Sequence, residues 1–255
     1  MLLLSSALAA PHALRGDQAW VPHAVATGVA GGAWIASELG KDALAPADCR
    51  WCEPPTFDLA IRNVARWDDP EAAGSASNVL GVVVPVGALG TQALLGATDG
   101  ARAELPRDIV YTTEAIAFAA LANQAVKFSV GRQRPFVWAR DPGNDPADDN
   151  LSFYSGHTTL AFSAVAAATT VASLRGYHHA WVIAAVGAPL AGTVGYLRMG
   201  ADKHWFSDVI VGAVVGTGTG VLVPLALHPR TDGPVSWRVS VLPSPRPVAT
   251  LEAVF

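Results

Sequence analysis

The sequence predicts an all-α fold: a bundle of six helices, transmembrane or membrane-associated. Three observations carry that expectation. Only 15% of the 255 residues are charged against 51% hydrophobic, well below the roughly 25% charged share of an average soluble domain, and mean hydropathy is +0.32. Six apolar segments of 17 to 21 residues recur along the chain, close to the roughly 20 that carry a helix across a bilayer core. They are rich in Ala, Gly, Ser and Thr, as in SAVAAATTVASL and VGAVVGTGTGVLVPLAL, and such residues let helices approach closely in a membrane. A soluble Ala-rich bundle is the competing reading, but six wet helix faces need more charge than this chain carries.

In chain order, the start MLLLSSALAAPHALRGD is an apolar run followed by small residues, without a basic lead. Residues 1–20 therefore read as a signal-like or disordered N-terminus. The first helical segment is 22–39. A long polar stretch, 40–77, follows and reads as a loop; it carries Cys49 and Cys52 in DCRWC. A C-x-x-C pair in so proline-rich a setting is a small-loop disulfide or two free thiols, and no second pair exists to complete a four-thiolate zinc site. Segments 78–97 and 108–126 come next. The loop GRQRPFVWARDPGNDPADDN is too rich in Pro, Asp and Asn for regular structure, and loops of that length are usually functional. Segments 155–174, 181–197 and 207–227 complete the bundle. The tail 229–255 alternates weakly, as a short hairpin would. One helical domain, 21–228, is expected, its catalytic core at about 108–220. The net charge of −4, with no dense Lys/Arg run, argues against nucleic acid as a partner.

Three clusters carry the chemistry. In KFSVGRQRP, Lys127 and Arg134 lead out of the third helix; taken alone, they would be ordinary cations at a helix C-terminus. In FYSGHTTL, Ser155 suits a helix N-cap, Gly156 lets a ligand approach the backbone, and His157 sits in a first turn whose free N–H groups favour anions. In RMGADKHWFSD, Arg198 precedes His204 by six residues and Asp208 follows it by four. A carboxylate one turn after a histidine can accept its Nδ1–H and leave Nε2 free to attack. In an up-and-down bundle the end of helix three, the start of four, the end of five and the start of six share one end. Lys127, Arg134 and Arg198 then converge, and converging cations call for an anion such as a tetrahedral oxyanion.

K-x6-R-P, S-G-H and R-x5-H-x3-D, in this order over about residues 108–220, resemble the signature of the type 2 phosphatidic acid phosphatase superfamily, which includes bacterial acid phosphatases and vanadium haloperoxidases. The resemblance implies that His204 attacks phosphorus to give a phosphohistidine and that Asp208 orients it. It implies that His157 protonates the leaving oxygen and later helps activate water. Lys127, Arg134, Ser155, Gly156 and Arg198 would bind phosphate, with no metal and no cofactor; vanadate would bind as a phosphate analogue. Two positions depart from the family pattern: Tyr154 where Pro is usual before S-G-H, and Leu197 where Ser often precedes the arginine. Both bear on substrate preference.

The expected function is a phosphatase acting on a phosphate monoester or diphosphate, most simply of a lipid, with membrane lipid and a phosphorylated lipid or small phosphate ester as partners. The expected setting is a bacterial cell envelope with a periplasm-facing site. The alternatives are a soluble periplasmic acid phosphatase, a vanadate-dependent haloperoxidase, a phosphotransferase to an alcohol, and a non-catalytic helical membrane protein that binds an anion.

Overall fold

Six apolar stretches become six long helices: α1 (Val21–Leu39), α4 (Pro70–Thr98), α5 (Leu105–Val130), α7 (Gly156–Leu174), α8 (Trp181–Gly200) and α9 (Phe206–Leu227), joined by short helices α2 (Lys41–Leu44), α3 (Thr56–Ala65) and α6 (Pro135–Trp138). The computed structural model describes residues 20–139 and 146–227, with the backbone of 236–242 and 248–254. The signal-like residues 1–19, residues 140–145 of the polar loop and the remainder of the tail lie outside the described residues. The helices belong to one compact unit, Arg15–Leu227. The tail belongs to another, in which strands β1 (Ser236–Leu242) and β2 (Val248–Val254) pair antiparallel.

Start signals account for the helix boundaries. Prolines occupy the first turn of α1, α4, α5 and α6, where a missing N–H costs nothing. Asp69 caps α4, its Oδ1 accepting from the Ala72 N–H at 3.0 Å. Gly131 ends α5 in the left-handed conformation, φ 59°, which glycine adopts without a Cβ penalty.

Two expectations are corrected. Residues 40–77 are not simply a loop: they hold α2, α3 and the first two turns of α4. Among the described residues five helices, not six, are long and apolar enough to cross a membrane: α4, α5, α7, α8 and α9. Helix α1 falls short because His23, Ser37 and Glu38 interrupt its apolar run; it packs on α5 instead.

Helix α7 is the hub, packed against α4, α5, α8 and α9. Its alanines Ala161, Ala164, Ala168 and Ala172 form a core with Val84 and Ala88 of α4 and Ile183, Ala191 and Val194 of α8. The α7–α9 seam is closer still. A Cβ on Gly212 would lie 2.8 Å from the Ser155 carbonyl oxygen, and one on Gly220 would lie 2.6 Å from that of Ser163. Gly216, midway between them, faces the Thr159 backbone even more tightly. This small-x3-small stripe lets two backbones touch, the packing mode open to helices in lipid. At the other end of α5, buried Asp108 accepts from Arg175 Nε at 2.8 Å and from the Tyr177 hydroxyl at 2.6 Å, fastening the α7–α8 turn.

The seam makes a prediction. Gly216→Val should destabilise the protein in detergent by about 1–3 kcal/mol, the cost of overpacking, read as a lower unfolding midpoint. Gly218→Ala, where a Cβ meets nothing within 4 Å, should leave the midpoint unchanged or raise it, since Ala is the better helix former.

Candidate active site

Four helix ends build the site: the C-termini of α5 and α8 and the N-termini of α7 and α9. Helix α5 presents Asn123 and Lys127 one turn apart on one face. At the start of α7, the Ser155 N–H donates to the Asp208 carbonyl at 3.0 Å, tying that turn to α9. The α8–α9 turn folds back as the Lys203 N–H donates to the Arg198 carbonyl at 3.1 Å. The sequence-selected residues Lys127, Arg134, His157, Arg198 and His204 are thereby brought within electrostatic reach of one another.

His204 is 3% exposed. Its Nδ1 lies 2.8 Å from the Ser152 carbonyl oxygen. A carbonyl only accepts, so Nδ1 carries the proton, and Nε2 of the neutral ring keeps its lone pair. Burial first, then the cations Arg134, Arg198 and Lys127, hold the imidazole well below its ordinary pKa, so it is neutral at neutral pH. Arg134 Nη1 lies 3.4 Å from Nε2. Asp208, expected to accept the Nδ1 proton directly, stands 3.7 Å from it. The reason is local: its Oδ2 already accepts from Ser152 Oγ at 2.6 Å and from the Trp205 N–H at 2.9 Å. The carboxylate thus braces Ser152, which holds the ring, and Trp205, the next residue in the chain, and reaches the ring itself only through its field.

The cations differ in how fully they are engaged. Arg134 gives Nε to the Asp148 carbonyl at 2.8 Å, Nη1 to the Lys203 carbonyl at 2.9 Å and Nη2 to the Asp148 carboxylate at 2.8 Å. Burial resists ionisation of Asp148, but Arg134, Lys127 and Lys41 outweigh it and hold that carboxyl well below the usual range. Arg198 uses only Nη1, toward Ser77 Oγ at 3.1 Å and Asn78 Oδ1 at 3.4 Å; its buried Nε has no partner among the described residues. The Nε–Nη2 edge is the one by which Arg62 grips Asp202 bidentately, at 2.7 and 2.6 Å. In Arg198 the Nε of that edge is open to an oxyanion.

His157 lies against α4, where Gly81 makes room for it: a Cβ there would stand 2.8 Å from the ring's Cδ2. Gly156 is equally confined, since a Cβ would stand 2.9 Å from Asn123 Oδ1 and 3.5 Å from Lys127 Nζ. Ser155 is the N-cap residue of α7, but its hydroxyl pairs with Thr158 Oγ1 at 2.9 Å instead of capping the backbone. The first-turn amides of α7 therefore have no side-chain cap, as an anion-binding helix start requires.

Several residues escape the motif reading. Buried Arg132 gives Nη1 to Asp208 Oδ1 at 2.5 Å and Nη2 to Asp58 Oδ2 at 2.7 Å, and its guanidinium lies 3.9 Å from the centre of the Trp51 ring. Arg132 stands inside GRQRP and was legible as a second cation there. Asp58 and Trp51 come from the segment between α1 and α4 and carry no spacing signal. Asn123, whose Nδ2 donates to the Tyr154 carbonyl at 2.7 Å, was visible only as a polar residue in an apolar run. Cys49 and Cys52 are bonded as a disulfide in the loop whose Arg50 and Trp51 pair along Gly131–Gln133. Among the described residues no group of three His, Cys, Asp or Glu side chains converges as a metal site.

Gly156→Ala should push Asn123 and Lys127 off the α7 terminus. Loss of one charge-assisted hydrogen bond predicts roughly tenfold weaker binding of inorganic phosphate, measured by calorimetric titration of the folded protein.

The model of the PAP2 superfamily matches residues 108–232, the stretch that supplies Lys127, Arg134, His157, Arg198, His204 and Asp208. No curated protein and no solved structure matches the chain. Residues 108–232 form a domain of the type 2 phosphatidic acid phosphatase (PAP2) superfamily.

Proposed function

We propose that the protein is a phosphatase that hydrolyses a phosphate monoester or diphosphate of a lipid through a phosphohistidine on Nε2 of His204, without a metal ion. The observation that carries this reading is the pairing of a neutral imidazole, whose Nε2 keeps its lone pair beside Arg134, with a buried Arg198 Nε that has no partner among the described residues. A planar guanidinium edge matches two phosphoryl oxygens. Lys127, Arg134 and the α7 N-terminus supply further positive charge, and phosphoryl transfer needs little beyond positioning and charge stabilisation.

In this mechanism the Nε2 lone pair forms the P–N bond as the P–O bond to the leaving group breaks. His157, protonated, gives its proton to the leaving oxygen. The neutral His157 then takes a proton from water as that water attacks phosphorus, and the P–N bond breaks to release phosphate. Asp208 steadies the imidazole through Ser152, whose carbonyl accepts from Nδ1, and acts on the ring through its field. The lipid assignment is supported by the five apolar helices around the site. The disulfide in the loop beside Arg132 supports an active-site end that faces an oxidising compartment such as a periplasm.

His204→Ala should abolish phosphate release from p-nitrophenyl phosphate and from a panel of lipid phosphates. His157→Ala should lower kcat by about 10²–10⁴-fold, the range of general acid–base catalysis, with a smaller loss on substrates whose leaving group needs no proton. Release of no phosphate by purified wild type from any member of the panel would end the enzymatic reading. Activity should persist in EDTA. Loss of activity on chelation, restored by a divalent ion, would instead require a metal.

A further inference from the structure

We propose that Asp58, Arg132 and Asp208 act as one buried unit of net negative charge beneath His204, in which Asp58 is a positioning residue favouring the positive charge that the imidazole gains on bonding phosphorus. This inference rests on the phosphohistidine reading above. Asp58 lies outside the family-matched residues 108–232, on α3, and neither the motifs nor the proposed mechanism gives it a role.

The hydrogen bonds fix the charges. Asp208 accepts from Arg132 Nη1, Ser152 Oγ and the Trp205 N–H. Asp58 accepts from Arg132 Nη2, the Ser207 N–H and Ser207 Oγ. The Ser207 hydroxyl itself accepts from Arg132 Nη1 at 2.7 Å, so its proton points to Asp58. Every contact to the two carboxylates is a donor's, which is the arrangement of two ionised groups. One guanidinium shared by two carboxylates leaves an excess of one negative charge, and all three side chains are 1% exposed or less. The Trp51 and Trp205 rings close over the guanidinium, at 3.9 and 5.6 Å.

Arg132 and Asp208 alone form a neutral pair, in which the guanidinium offsets part of the carboxylate's field at the ring. With Asp58 present, the side of the unit nearest His204, Asp208 Oδ2 at 3.7 Å from Nδ1, keeps a net negative field. That field has little to act on while the imidazole is neutral. When Nε2 bonds phosphorus and Nδ1 retains its proton, the ring becomes cationic and the field stabilises it. The contribution therefore appears in the reacting state and not in the substrate complex. A purely structural clamp would have no such bias.

The test uses two anions. Inorganic phosphate occupies the cation site without bonding nitrogen, whereas vanadate can accept Nε2 as a fifth ligand. Asp58→Asn should lower kcat at least tenfold and weaken vanadate inhibition by a comparable factor, while KM and the phosphate inhibition constant stay within about twofold. Equal weakening of phosphate and vanadate would reduce Asp58 to a structural clamp and overturn the inference, as would an unchanged kcat. Should Asp58→Asn fail to fold, Asp58→Glu and Asp58→Gln, equal in size and different in charge, make the same comparison. An inactive wild type would sink the phosphohistidine reading itself; an active wild type with an indifferent Asp58→Asn would sink this one alone.

Discussion

The active-site end depends on how closely α7 and α9 approach. Gly212 leaves the Ser155 carbonyl almost in contact with the α9 backbone, and the Ser155 N–H closes on the Asp208 carbonyl at 3.0 Å. Those two contacts fix the S-G-H turn and the H-x3-D turn at a common height. His157 and His204 are then set relative to each other by backbone, not by flexible side chains. In lipid no hydrophobic force draws helices together, so contact must come from packing and from groups small enough to allow it. A single methyl on this seam would shift the two histidines apart before it touched either one.

That rigidity is what makes the charge arrangement tenable. Two cations about 5 Å apart repel by roughly 3 kcal/mol at an effective dielectric of 20, and three converge here. The protein relieves only part of this. Among the described residues Arg134 has one carboxylate partner, Asp148, and two carbonyl partners, while Arg198 has the neutral side chains of Ser77 and Asn78. The unrelieved part is retained at a place where the backbone cannot move to escape it. Such a preorganised site stabilises an incoming anion without reorganising at the moment of reaction. By linkage, an anion bound there stabilises the fold as well.

The sequence made legible whatever depends on short spacing. The six helical runs follow from apolar stretches, and the placing of the three motifs at helix ends follows from intervals within one or two turns. The misreadings have a different character. Asp208 was assigned the Nδ1 proton because it lies one turn from His204, yet the acceptor is the Ser152 carbonyl, 52 residues earlier. Which of two oxygens wins depends on where a loop backbone passes, and no interval encodes that. Ser155 has the right identity for a cap, but Thr158 competes for its hydroxyl. Asp58 reaches Ser207 across 149 residues, from a helix whose start is hidden behind Cys-Glu-Pro-Pro. Helix α1 looked like a span by length alone; His23, which meets buried Glu114 at 3.0 Å, gives it a partner in the bundle instead.

The two departures from the family pattern sharpen where discrimination among substrates must arise. Tyr154, in place of proline, is 4% exposed and contributes its carbonyl to Asn123, a group proline would also offer. Leu197, in place of serine, is 6% exposed and packs with Ala73 and Ala201. Both changes are absorbed in packing, and neither adds or removes a charge at the phosphate. Near His204, the α8–α9 turn and the loop after α5 bring a further cation against an aromatic ring. Lys203, half-buried, rests its ammonium 4.3 Å from the Phe136 ring centre, and burial, with Arg134 next, lowers its pKa below the ordinary lysine value. A cation so placed costs the free protein some repulsion and returns it to a substrate whose negative charge extends beyond one phosphoryl group. On the proposed phosphatase reading, substrate choice falls to this rim, and the chemistry common to every substrate falls to the buried floor of Asp58, Arg132 and Asp208.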